Sequence, residues 1–459
     1  MTPNNSSNSE IPLRSALLTG KSEEMPCQSI EKLTGNSSIA RSVGRRGQSC
    51  SWEEKNSHYL LPETSLLDSP PFEEEKIGTS EYVKEAQRLE EFLRSRTLRA
   101  QVSFFGCGPS TISYEISFPA GLESSAIRVL KRAVMSCFRN STYRFIREAG
   151  AERNMILEIP REKPSAQLVY LQPLIESKAF TKQSSSGLAV VLGKDTRGYP
   201  VVFDLSESSH VLIHGRDGLE NSVAIHAMLL SMLFRHTPEN LRLIIIDTRI
   251  VEYVDFEGIP HLCQPLSDGL DEAMRSLSWA VSEIERRENL MYRLGVDSLT
   301  SLNEQLIRSC SREASIDNRL NKPQPLPNIV IVIDDFGDLV LLYDKKVRDL
   351  LSKIMKAGAA VGVHVILATQ RMSEDVIPFS IKSYCRTILC FQTRGPAESK
   401  EILGEVGAVG AEKLSRPNDM LCSICGMPLL RVQGANVSMK EVMRVTDFWK
   451  SQGSQSFVE

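Results

Sequence analysis

The 459-residue chain contains no run of 18 consecutive apolar residues, the length a helix needs to cross a bilayer. Its longest apolar stretches, around Met228 and Ile331, have the length of core elements, so a soluble chain without a membrane segment is expected. A cysteine framework is also lacking. The ten cysteines follow no repeating spacing and no signal-peptide pattern opens the chain, which argues against a disulfide scaffold and for a reducing, cytoplasmic setting. Cys422 and Cys425 form one C-x-x-C, but a tetrahedral zinc site needs four ligands and no second pair lies nearby. The seven histidines show no ligand spacing, and His261 and His364 read as structural. Nor does one sign of charge dominate: 54 Lys and Arg stand against 57 Asp and Glu, net −3. Overall charge therefore neither supports nor excludes nucleic acid, and any basic surface has to be local. Candidates are Arg286 with Arg287 and Lys345 with Lys346, each pair fitting a solvated helix face as well.

What is present falls into segments. Residues 1–80 are rich in Ser, Asn, Glu and Pro and include SPPFEEEK, too little apolar surface to offset ordering entropy. They read as a disordered arm, with Trp52 and HYLLPETSLL from His58 as a candidate docking peptide. Residues 81–181 read as a small α+β domain. There, Val83, Ala86, Leu89 and Phe92 form one helix face, two strands flank a Gly108-Pro109 turn, and Ile127, Leu130 and Val134 line a second helix. NMILEIP and QLVYLQPL read as further strands. After a Ser-rich joint at 182–187, residues 188–450 alternate short apolar runs with helices, the pattern of a largely parallel α/β sheet covered on both faces. The strands are VVFDL, VLIHG, LRLIIID, NIVIVIDD, GVHVILATQ and RTILCFQ. Helices are expected at 223–235, 271–293 and 345–357, with a Pro-rich loop at 303–327 and a tail at 451–459.

Within that domain, HVLIHGRDGLENSVAIHAMLLSMLF runs strand, loop, helix, as a phosphate-binding loop does. The loop is Gly215, Arg216, Asp217, Gly218, Leu219, Glu220, Asn221 and Ser222. Against G-x-x-x-x-G-K-S/T, Glu220 occupies the second glycine's place and Asn221 the lysine's. Gly215 and Gly218 still admit backbone N–H groups to an anion, and Ser222 can still ligate magnesium. A carboxylate about 6 Å from a phosphate charge costs roughly 3 kcal/mol at an effective dielectric near 20. A plain strand-to-helix turn fits the same string. NIVIVIDD delivers Asp334 and Asp335 at a strand's carboxyl end, where the first can orient a magnesium ion and the second polarise the attacking water. A polar strand end is the other reading of that pair. VILATQR presents Thr369 and Gln370 at the same edge, where open α/β sheets gather ligands.

The succession LGKDTRGYPVVFDL, HVLIHGRDG, IIIDTR, EGIPHL, RSLSWAVSEIERRENLMYRLGV, IVIDDFGDL, VGVHVILATQR and GAEKL before DML resembles the motor domain of the FtsK/SpoIIIE family of DNA translocases. LRAQVSFFGCGPSTISYEISFPAG is similar to that family's alpha domain, and the likeness runs from about residue 82 to 450. A secretion-system coupling ATPase would share the core sheet but not the alpha domain. The resemblance implies a RecA-like P-loop NTPase core, a hexameric ring around double-stranded DNA, ATP and Mg as cofactors, and a role in chromosome segregation during cell division. It assigns Gly215 to Ser222 to the nucleotide, Ser222 and Asp334 to the metal, and Asp334, Asp335 and Gln370 to catalysis.

The departures from the family pattern are specific. Besides Glu220 and Asn221, Asp335 stands where Glu is usual, and Gly358 or Ala359 stands where a neighbour-directed arginine is expected. SRPNDML replaces GxGDML, and neither a membrane-spanning N-terminus nor a DNA-reading winged helix is expected in this chain. A ring of such subunits is expected to bind DNA with ATP hydrolysis impaired, since that arginine is worth about three orders of magnitude or more in related hydrolases. The alternatives are an active translocase in which Arg216 or Arg249 reaches the phosphates, and a non-catalytic regulatory subunit in a mixed ring with an active translocase.

Overall fold

The structure is a computed structural model that describes residues 59–71, 79–119, 124–138, 143–146, 153–161, 168–216, 218–247, 252–267, 269–312, 324–404, 410–414 and 417–454. Trp52, Asp217, Arg249 and residues 1–58 and 72–78 of the expected arm lie outside them.

Four antiparallel strands form the smaller sheet: β1 (Gln101–Cys107), β2 (Thr111–Ser117), β3 (Arg144–Ile146) and β4 (Asn154–Pro160), in the order β1-β2-β4-β3. The β1–β2 hairpin turns at Gly108-Pro109 as the sequence indicates. The helices Thr79–Ser95 and Ser124–Phe138 close a core built on Leu89, Leu93, Tyr114, Ile116, Leu130 and Leu157. In the first helix, Tyr82, Ala86, Leu89 and Leu93 are buried while Val83 is 43% exposed. The expected spacing of three drifts around a helix of 3.6 residues per turn, whereas the 4-3-4 spacing stays on one face. The second helix buries Ala126, Leu130, Ala133 and Val134, with Ile127 at the margin. Residues 168–174 of QLVYLQPL form no strand. Tyr170 makes a single bridge to Asn436, and Pro173, which has no N–H for a ladder, begins a helical turn at Gln172–Ile175.

Nine strands form the larger sheet: β5 (Ala189–Asp195), β6 (Pro200–Asp204), β7 (His210–His214), β8 (Leu241–Asp247), β9 (Asn328–Asp334), β10 (Val363–Thr369), β11 (Thr387–Cys390), β12 (Asp419–Ser423) and β13 (Leu430–Gly434). Their order is β6-β5-β13-β12-β11-β7-β10-β9-β8. From β11 to β8 the strands are parallel; from β11 back to β6 they pair antiparallel. The parallel half is buried on both faces, which is why NIVIVID and VHVILAT carry no polar alternation.

Two helices are longer than the apolar pattern indicates. One is Leu219–Leu233, buried on nearly every side and beginning at the phosphate loop itself. The other, Phe336–Ala357, begins immediately after Asp335. The first part of the expected Pro-rich loop is helical, Leu299–Arg312.

Tyr59–Asp68, grouped by composition with the arm, lie against the last helix, Met439–Gln452. Gln452 exchanges two hydrogen bonds with the Leu60 backbone, at 2.7 and 3.0 Å. Arg444 reaches Leu66 O and Asp68, and Leu67 is buried in the main core. A short apolar patch in a polar stretch here covers the body of its own chain. The two sheets meet at a buried ion cluster, where Arg431 of β13 joins Asp419 of β12 to Glu158 of β4.

Candidate nucleotide-binding site

Register decides which loops meet. Across the parallel strands, His214 pairs with Thr369 and with Cys390, and Asp247 pairs with Asp334, so the loops after β7, β9 and β10 leave one edge side by side. The chain passes from β7 to β8 on one side, and from β10 across β7 to β11 on the other. That reversal opens the crevice in which α/β sheets receive ligands.

Gly218, at φ +78°, caps the helix Leu219–Leu233. The positive φ of Gly218 favours glycine, and a Cβ there would lie 2.7 Å from Gln370 Nε2; a Cβ on Gly215 would lie 2.5 Å from Asn221 Oδ1, so that side chain would have to shift. Asn221 is 1% exposed. Its Nδ2 donates to Thr369 O at 3.4 Å, while its Oδ1 has no hydrogen-bond partner among the described residues. The amide thus lies between Gly215 and the end of β10, and it brings no charge to the loop. Glu220 stands half-buried in the first helical turn, where its charge suits the helix dipole but opposes a phosphate. Arg216 is exposed beside the loop.

The acidic half is closely built. Ser222 Oγ donates to Gly218 O at 3.2 Å and to Asp334 Oδ2 at 3.4 Å, and Ser222 and Asp334 are both buried. A hydroxyl and a carboxylate at this separation form a hard-oxygen pair fit for magnesium. Asp335 takes a left-handed backbone, φ 54° and ψ 63°, at the start of Phe336–Ala357. Such a conformation costs about 1 kcal/mol or more in a non-glycine residue, and it presents the carboxylate to Gln370 Nε2 at 3.0 Å. Thr369 Oγ1 is turned into its own loop, donating to Arg371 O. Beneath the loop, the wholly buried His214 lies 3.4 Å from Glu398; burial lowers its pKa and the carboxylate opposes that shift.

The structure therefore brings Gly215, Gly218, Asn221, Ser222, Asp334, Asp335, Thr369 and Gln370 to one edge. The set fits a metal and the backbone cradle of an anion. It does not fit the lysine-gripped phosphates of a complete site. Of the basic candidates, Arg287 is 1% exposed and bound to Glu283 and Val361 O, so it faces no phosphate. Arg286 is engaged by both Glu283 oxygens. Lys345 and Lys346 are exposed. Sequence reasoning missed Tyr253, a fully buried phenol beside Ser222; a lone tyrosine in a turn-rich stretch gives no periodic signal.

Residues 170–374 match the FtsK/SpoIIIE family and residues 61–161 match the FtsK alpha domain. The DNA translocase FtsK 2 of Ralstonia nicotianae is 36% identical over 407 residues, covering 87% of this chain and 51% of that protein. The DNA translocase FtsK of Pseudomonas aeruginosa is 34% identical over 410 residues, covering 87% and 50%. This chain thus spans about half the length of these curated relatives. Among solved structures, the pCW3 conjugation coupling protein TcpA, in its monomer form with ATPγS, superposes with a TM-score of 0.51 at 15% identity, over 77% of this chain and 96% of that one. ATPases 2 and 3 of Thermomonospora curvata EccC give 0.50 at 18% identity, over 66% and 53%. At such identities the likeness is one of fold, a P-loop ATPase core.

Proposed function

Because the chain belongs to the FtsK/SpoIIIE family, we propose that it is a DNA-engaging, ring-forming translocase homologue whose own nucleotide site grips a triphosphate weakly and hydrolyses it slowly. The observation that carries this reading is Asn221, packed by its amide against Thr369 O where a cation would meet the phosphates. Glu220 in the first turn adds an anion to the same cradle. Ser222 and Asp334 would hold Mg, which would neutralise phosphate charge. Asp335, steadied by Gln370, would orient water.

The turn before β10 supports a deficiency in trans as well. A Cβ at Gly358 would lie 2.7 Å from Val363 O, so no arginine can stand there, and Ala359 carries no charge. Either a homo-hexamer or a mixed ring accommodates these losses. In the mixed ring, an active translocase supplies the missing charges.

DNA engagement is supported by one face of the helix Phe336–Ala357. Lys345, Lys346, Lys353 and Lys356 are all exposed, lie within an arc of about 100° and extend over about 16 Å, with Asp349 among them. Such a stripe can follow successive phosphates without reading bases.

A phosphate-release assay with duplex DNA tests the reading. Turnover well below about 1 per second is expected. Turnover at or above that rate would remove the claim of impairment.

A further inference from the structure

Tyr253 is 1% exposed, and its hydroxyl has no hydrogen-bond partner among the described residues. Its position is fixed from three sides. The ring meets His226 edge-on, with centroids 5.1 Å apart, and tilts against Phe256 at 6.2 Å. His226 lies one helical turn beyond Ser222 and donates from Nε2 to Glu252 O at 3.0 Å, while Glu252 N donates to Asp247. The ring is thereby wedged between the Ser222–His226 face of the helix and the adjacent ends of β8 and β9, where Asp247 pairs with Asp334. Its phenol lies beside Ser222 without meeting hydrogen-bond geometry.

A hydroxyl buried without a partner is costly, and phenylalanine would fill the same aromatic box without that cost. The packing of His226 and Phe256 accounts for the ring but not for the oxygen. The oxygen is explained if a ligand supplies an acceptor. With asparagine in the lysine's place, the cradle also lacks a cationic donor.

We propose that Tyr253 is a ligand-contacting residue of the nucleotide site, its O–H kept for an oxygen of a magnesium-bound nucleotide seated against Ser222 and Asp334. The inference rests on the reading that the cradle takes nucleotide, however weakly. It assigns a neutral donor to a site that has lost its cationic one.

Tyr253→Phe tests it in the full chain by two readouts independent of turnover. Without ligand, the variant is expected to melt at or above the wild-type temperature, because an unpaired buried hydroxyl has been removed. With Mg-ATPγS at millimolar concentrations, its affinity, taken from the ligand-induced melting shift, is expected to fall about tenfold or more. Magnesium alone and ATPγS with a chelator, as separate arms, tell a metal effect from a phosphate effect; a loss confined to magnesium alone overturns the proposal. Phe256→Leu, which disturbs the ring packing but keeps the phenol, is expected to lower the melting temperature and spare the affinity. Equal affinity in wild type and Tyr253→Phe overturns the proposal and leaves the nucleotide reading standing. A ligand-free Tyr253→Phe that melts below wild type makes the hydroxyl structural and overturns it too. If the wild type itself shows no shift, both the proposal and the nucleotide reading fall.

Discussion

Arg431→Met should loosen the junction between the two sheets more than any surface change. The Arg431 guanidinium donates to both Asp419 oxygens, at 3.0 and 2.7 Å, and to Glu158 Oε2 at 3.1 Å, and all three residues are buried. Burial alone would lower its pKa, but the Asp419 and Glu158 carboxylates outweigh it and hold the pKa above the ordinary arginine value. In the variant, Glu158 keeps Arg144 at 3.5 Å, while Asp419, with no exposed surface, loses the cation that the bidentate bond supplies. Stranding a buried charge in this way costs about 3–5 kcal/mol. Urea denaturation of the full chain measures it as a lowered midpoint. A second substitution, Asp419→Asn, removes the stranded charge and should recover most of the loss, since neutralising a whole buried pair is far cheaper than halving it. A loss under about 1 kcal/mol for Arg431→Met alone, or no recovery in the double variant, would refute the reasoning.

Acid should destabilise the fold early. Burial lowers the pKa of His210 and His261 to about 3 and of His226 and His236 to about 4. Between about pH 6.5 and 4 the unfolded chain binds protons that these folded imidazoles refuse, so stability falls as pH is lowered through that window, by up to about 3 kcal/mol per histidine. A melting temperature that stays flat from pH 7.5 to about pH 5 would contradict this. Replacing Lys345, Lys346, Lys353 and Lys356 by alanine should weaken duplex binding alike for all sequences and reduce the slope of log affinity against log salt by about 0.9 for each phosphate no longer neutralised, read by fluorescence anisotropy. An unchanged slope would clear that helix of a role in DNA binding. Leu67→Ala should cost about 2–4 kcal/mol, because Leu67 is buried in the main core; a surface arm would show no change in the urea midpoint.

Sequence pattern revealed the fold best where burial on both faces erases polar alternation. NIVIVID and VHVILAT read directly as β9 and β10, and their register explains why Asp334, Thr369 and the phosphate loop meet. The antiparallel half was harder to see. β5 lies inside AVVLGKD, whose charged end resembles a loop, and β12 and β13 are only five residues each. The first helix face was shifted because Val83 competes with Tyr82 for the inward position, and packing against Phe104 selects the tyrosine. Within the site, loss of the lysine and second glycine was plain in GRDGLENS. The inward fold of Asn221, the Asp335–Gln370 bond and the buried Tyr253 phenol depend on residues far apart in sequence coming together, which no local pattern encodes.

The central claim is that an amide and a carboxylate in place of a lysine and a glycine leave this cradle unable to hold a triphosphate firmly. Titration calorimetry with Mg-ATPγS, on the wild type beside Glu220→Gly/Asn221→Lys, tests it most directly. Each charge change contributes about 3 kcal/mol at roughly 6 Å and an effective dielectric near 20, so the double variant should bind about a thousandfold or more tightly than the wild type. Micromolar binding by the wild type, unimproved by the two substitutions, would contradict the account.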